Sequence, residues 1–110
     1  MKEYENFIKK TSMEFKNINE DLIFFIIGIA GESGEALDRL KKHLRGGFDN
    51  PITDELRADL IDELGDILFY ITRSAQLLGI SLDKVMQLNL KKMSKRIVSK
   101  NLLQTTRRSK

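Results

Sequence analysis

The sequence predicts an all-α protein: a four-helix bundle-like protomer assembled into an oligomer. Three observations carry this expectation. Apolar residues recur at helical spacing through most of the 110 residues, and no segment shows convincing strand alternation. Loop signals at Asn17-Ile18-Asn19, Arg45 to Pro51 and Gly79 cut the chain into four helical segments. The run Leu22 to Ile27 is apolar all round, and a helix buried on every side needs neighbours on every side. Four helices of this length do not supply them, so further copies of the chain must.

The first helix is expected over residues 2–15, with Tyr4, Phe7, Ile8 and Phe15 inward. Asn19 is the expected N-cap of the second, over about 20–44, with Glu20 and Asp21 at the positive end of its dipole. Its apolar stripe is Ile23, Ile26, Ala30, Leu37, Leu40 and Leu44, which places Glu32 and Glu35 on the opposite side. Gly28, Gly31 and Gly34 recur every third residue in it, serving close helix packing or leaving room for a ligand. Thr53 is the expected N-cap of the third helix, which runs to Leu78 and stops at Gly79. Leu60, Leu64, Ile67, Leu68, Ile71, Ala75 and Leu78 form its core stripe, with Asp59, Asp62, Glu63, Asp66, Tyr70 and Arg73 on another side. Ser81 caps the fourth helix, which buries Leu82, Val85, Met86, Leu88, Leu90, Met93 and Ile97. Residues 1–99 make the expected domain, and residues 100–110 a basic C-terminal tail or arm.

Composition narrows the function. With 41% hydrophobic and 32% charged residues the chain can build a core. It has no cysteine and a single histidine, His43, which excludes disulfides, thiolate sites and multi-histidine metal sites within one chain. His43 is expected at the surface or a helix end. The polar start and the absence of an apolar run of ~20 residues predict a cytoplasmic protein with no membrane contact. Residues 84–110 hold nine Lys/Arg and no acid, while residues 1–83 hold 10 basic and all 16 acidic residues, a balance of −6. That basic end suits a polyphosphate bound with its metal, or a solvated tail.

The chemistry lies in two acidic pairs, Glu32 with Glu35 and Glu63 with Asp66, each at i,i+3 and therefore on one helix face. A lone pair of this kind is usually a solvated surface. Two pairs on successive helices, flanked by glycines and bulky apolar residues, would repel unless protonated or neutralised by a cation. No Glu-x-x-His is present, so a di-iron carboxylate site is not indicated. An all-oxygen site favours Mg²⁺, with Mn²⁺ as a substitute, and magnesium commonly binds substrate phosphates.

Gly28 to Glu35, followed by Asp62-Glu63-Leu64-Gly65-Asp66-Ile67-Leu68-Phe69-Tyr70, resembles the MazG-type all-α nucleoside triphosphate pyrophosphohydrolases. The family pattern is Glu-x-x-Glu, a variable gap (27 residues here), then Glu-x-x-Asp. Gly79 to Leu82 with Asn89-Leu90-Lys91-Lys92 and Arg96 resembles the family's last helix, so the similarity covers about residues 22–96. The aromatic-proline element that often follows that helix is missing; Ile97-Val98-Ser99-Lys100 stands there.

The resemblance implies attack of water at the α phosphate of a nucleoside triphosphate, giving a monophosphate and pyrophosphate. It implies Glu32, Glu35, Glu63 and Asp66 as Mg²⁺ ligands, with one glutamate of the first pair possible as the group that orients the water. Asn89 and Lys92, with Arg96, fall near the substrate phosphates, and Lys41 and Lys42 are further phosphate candidates. A homodimer or homotetramer is expected. Two alternatives stand beside this: a phosphoribosyl-ATP pyrophosphohydrolase, and a non-catalytic helical oligomer that binds nucleic acid through its basic end. The combined motif favours the enzyme over a nucleic-acid partner.

Overall fold

The computed structural model describes residues 1–12 and 17–108, with side chains to Asn101. Within them lie α1 (Lys2–Thr11), α2 (Ile18–His43), a short 3₁₀ turn (Leu44–Gly46), α3 (Asp54–Leu77) and α4 (Leu82–Arg108). No strand occurs among the described residues. The all-α expectation is met.

The helix ends follow local chemistry. The Asn17 side chain accepts a hydrogen bond from the Glu20 backbone N–H at 2.9 Å, so the cap falls two residues before the expected one at Asn19. Either asparagine can cap; Asn17 is chosen because its extended backbone precedes the first helical turn. Thr53 accepts from the Leu56 N–H at 3.1 Å, and Ser81 accepts from the Lys84 N–H at the same distance, both as expected. Gly79 follows α3 with φ of 73°, a left-handed position that glycine takes without strain. The first helix ends at Thr11 rather than near residue 15, and the expectation for Phe15 lies outside the described residues.

The antiparallel hairpin of α2 and α3 is the body of the protomer, α1 lies across α3, and α4 meets α3. Ile8, Phe25, Ala75 and Leu82 are the buried apolar residues among those described, one from each helix, and Thr72, Arg73 and Ser74 are buried next to Ala75 along α3. Gln76 Nε2 donates to the Glu5 carbonyl at 2.7 Å, and the Leu82 N–H donates to the Glu5 carboxylate at 3.4 Å. These bonds tie α1 to the end of α3 and the start of α4. Phe24, Phe25, Phe69 and Tyr70 form a ring cluster with centroids 5.1–6.3 Å apart, and the Arg73 guanidinium stands 6.0 Å from the Phe25 centroid.

The expected inward faces need correction. Ile23, Ile26, Ala30, Leu37 and Leu44 are exposed; Leu40 is half-buried as expected, Phe25 is buried, and Gly28, Ile29, Glu32, Ala36 and His43 are half-buried. In α3, Leu64, Leu68 and Leu78 are exposed and Glu63 is buried. Phe7 in α1 is exposed too. Glu32 and Glu63 therefore lie together in the hairpin seam, and part of each apolar stripe faces out. Of the expected apolar positions in α4, Leu82 is buried and Val85 half-buried, but every described side chain from Met86 to Asn101 is exposed. The protomer is a hairpin with two flanking helices, not a closed bundle. Residues 100–108 continue α4 without a break.

Candidate metal centre

The hairpin register brings the two acidic pairs to one level. One carboxylate oxygen from each of Glu32, Glu63 and Asp66 lies within 4.8 Å of the other two. Glu32 is half-buried, Glu63 is 3% exposed and Asp66 is exposed, so the group spans the seam from interior to surface. Glu32 Oε2 and Glu63 Oε2 are buried with no hydrogen-bond partner. Such oxygens are costly unless something positive meets them.

Burial raises the Glu32 carboxyl above its usual range, the negative charges of Glu35 and Asp66 add to this, and Glu63 adds an acceptor for the proton of Glu32 as well as its charge, a bond that two ionised carboxylates do not make. Burial also raises the Tyr4 phenol, and the negative charge of Asp66 raises it further, which places α1 beside the same group. The fourth expected carboxylate, Glu35, lies outside the three-oxygen group. It lines an open cleft of about 580 Å³ with Gly31, Gly34, Asp38, Arg39 and Lys42.

Arg39, absent from the sequence expectation, and Asp59, expected only on the acidic side of α3, complete the centre. The Arg39 guanidinium bridges the hairpin, with Nη1 2.8 Å from Asp59 Oδ2 and Nε 3.4 Å from Glu63 Oε1. Arg39 is four residues from Glu35 and seven from Glu32, and Asp59 is four from Glu63, so helical spacing already put each on its pair's face. Lys42 reaches the cleft and pairs with Asp38 at 3.1 Å. Lys41, Asn89, Lys92 and Arg96 are exposed and do not line it. His43 is the last residue of α2, at a helix end as expected, and is half-buried: its Nε2 lies 3.0 Å from the Asn50 carbonyl, and Asn50 Nδ2 donates to the His43 carbonyl at 3.3 Å. This clasp closes the loop between α2 and α3.

The glycines divide. A Cβ on Gly28 would overlap the Tyr70 ring, whereas Gly31, Gly34 and Gly65 have open space where a Cβ would stand. Gly28 serves helix packing, and Gly31 and Gly34 leave the cleft open.

The donor set fits a hard divalent cation: three carboxylates, two of them with orphaned buried oxygens, and no nitrogen or sulfur ligand in the group.

Fold and site thus define an all-helical protein with a cation-suited carboxylate centre between two antiparallel helices. The family model for the MazG nucleotide pyrophosphohydrolase domain matches residues 25–99, and the chain belongs to this family. The chain is also similar to the Gene 37 protein of Mycobacterium phage L5, 42% identical over 77 residues, which are 70% of this chain and 67% of that protein. No solved structure matches the chain. No described helix is long and apolar enough to cross a membrane.

Proposed function

We propose that this chain is a divalent-cation-dependent nucleoside triphosphate pyrophosphohydrolase, converting an NTP or dNTP and water into the monophosphate and pyrophosphate. The observation that carries the reading is the buried Glu63 carboxylate, which keeps one oxygen unpartnered and converges with carboxylates of Glu32 and Asp66 in a member of the MazG family. Glu32, Glu63 and Asp66 would hold Mg²⁺, or Mn²⁺ in its place. The bound ion supplies neutralisation of phosphate oxygens and a lowered pKa for water.

The chain's own groups divide the remaining work. Glu35, on the cleft wall and outside the three-oxygen group, would orient the attacking water and accept its proton as the bond from water oxygen to the α phosphorus forms. Pyrophosphate leaves with the electron pair of the broken α–β bridge. Lys42 on the same wall offers a positive charge to the departing phosphates. Asn89, Lys92 and Arg96 share one face of α4 by their spacing of three and four; the family resemblance alone supports their contact with substrate, as it does for Lys41. The exposed apolar faces of α2 and α3 support a homodimer or homotetramer as the working unit.

The test is a hydrolysis screen with and without Mg²⁺ over canonical and modified NTPs and dNTPs and phosphoribosyl-ATP, reading pyrophosphate against orthophosphate. Mg²⁺-dependent pyrophosphate release is expected. Release of orthophosphate alone, or full turnover in Glu63→Gln, overturns the proposal.

A further inference from the structure

We infer that Arg39 is a positioning residue for the cation site: anchored on Asp59, it grips one oxygen of Glu63 and thereby presents the other to the ion. The inference rests on the reading of Glu32, Glu63 and Asp66 as a cation site.

Glu63 uses its two oxygens differently. Oε1 lies 3.4 Å from Arg39 Nε, while Oε2 is buried, has no partner, and belongs to a side chain in the three-carboxylate group. The terminal torsion of a glutamate is broad, so an unrestrained carboxylate turns freely over many angles. Holding Oε1 fixes Oε2. Arg39 is in turn held by Asp59 at 2.8 Å, on the helix that carries Glu63. The planar guanidinium can serve both acids at once because its donors lie in a rigid fork; an ammonium is a point charge without that fork. The result is a three-residue brace, Asp59–Arg39–Glu63, spanning from α3 to α2 and back.

Charge and geometry pull in opposite directions at this residue. A bare positive charge near the carboxylates repels an incoming cation, so deleting it should tighten binding. A brace that orients a ligand does the reverse: loss of an outer-shell partner typically weakens metal affinity by about 10–100-fold. The sign of the change therefore separates the two roles.

The experiment is a Mn²⁺ titration of the intact chain, following the electron paramagnetic resonance signal of the free ion, with circular dichroism to check helix content. Wild type is expected to bind. Arg39→Gln is expected to bind about 10–100-fold more weakly at wild-type helix content. Arg39→Lys keeps the charge but not the fork, and is expected to be weakened as well. Affinity in Arg39→Gln equal to or tighter than wild type overturns the brace. Should Arg39→Gln fail to fold, Arg39→Lys decides, and wild-type affinity there overturns it. Mn²⁺ binding that is lost in Glu63→Gln but untouched by either Arg39 substitution removes the brace and keeps the cation site. Absence of binding in wild type removes both.

Discussion

A carboxylate that is 3% exposed, with one guanidinium on one oxygen and nothing on the other, is held against its own hydration. At Glu63 that cost makes sense if a cation completes the shell. Glu63→Gln keeps the size and removes the charge. A bound ion supplies several kcal/mol of charge stabilisation in the transition state, so the variant should lose at least about 10²-fold in pyrophosphate release. Steady-state assays at saturating Mg²⁺ check this. Glu32 carries a pH signature. Its folded pKa is raised above the ordinary value of 4.5, so the folded chain holds this proton more tightly than the unfolded chain does. Stability of the metal-free protein therefore falls as pH rises from 4.5 towards the raised value, and levels off above it. Glu32→Gln should remove that fall and melt higher than wild type at neutral pH without metal. Thermal melts across a pH series in chelator read the effect. Adding Mg²⁺ should then stabilise wild type, by about 2.7 kcal/mol at 100 times its Kd, and leave the variant nearly unmoved.

At the scale of elements, the helix boundaries were largely legible because caps are local chemistry. Thr53, Ser81 and Gly79 act where their side chains or conformational freedom predict. Thr53→Ala should cost about 1 kcal/mol, read from a denaturant midpoint. The inward face of α2 was not legible, and that of α3 only in part: Leu60, Ile67, Ile71 and Ala75 are buried or half-buried as expected, while Leu64, Leu68 and Leu78 are exposed. Counting apolar residues sends Glu32 and Glu63 to solvent, but α2 is apolar on several sides between Leu22 and Ile29, so hydropathy alone does not choose among them. Partner-specific features choose instead: Tyr70 fits only against the bare backbone of Gly28, and Arg39 reaches Asp59 and Glu63 only from the inward face. The acidic pairs were legible as a motif, but Arg39 was not, since its role exists only across the hairpin. Glycine substitutions test the packing. Gly28→Ala must displace the Tyr70 ring, and overpacking of this kind typically costs about 1–3 kcal/mol. Gly65→Ala meets open space within a helix and should gain up to about 1 kcal/mol. Opposite shifts in thermal midpoint are expected from the same chemical change.

For the whole molecule, the apolar surface is distributed the wrong way round for a lone protomer. Ile8, Phe25, Ala75 and Leu82 are the buried apolar side chains among the described residues, while Ile23, Ile27, Leu37 and Leu64 are each at least 60% exposed. Burying such residues is worth about 1.5–3 kcal/mol each, and contiguous exposed patches of this kind mark interaction surfaces. A second copy is the occupant proposed here, because the outward faces of α2 and α3 are the ones that the all-round apolar run of α2 leaves without a neighbour. Sedimentation velocity should accordingly find a dimer or tetramer, and the thermal midpoint should rise with protein concentration, as it does when assembly and folding are linked. Placing a charge on that face, as in Leu64→Lys, should shift the chain towards monomer and lower its midpoint. The same substitution on the exposed polar surface, as in Asp49→Lys, should change the assembly little. A wild-type monomer with a concentration-independent midpoint would leave those outward leucines and isoleucines without a partner and defeat the oligomer reading, while the carboxylate centre, built within one hairpin, would stand.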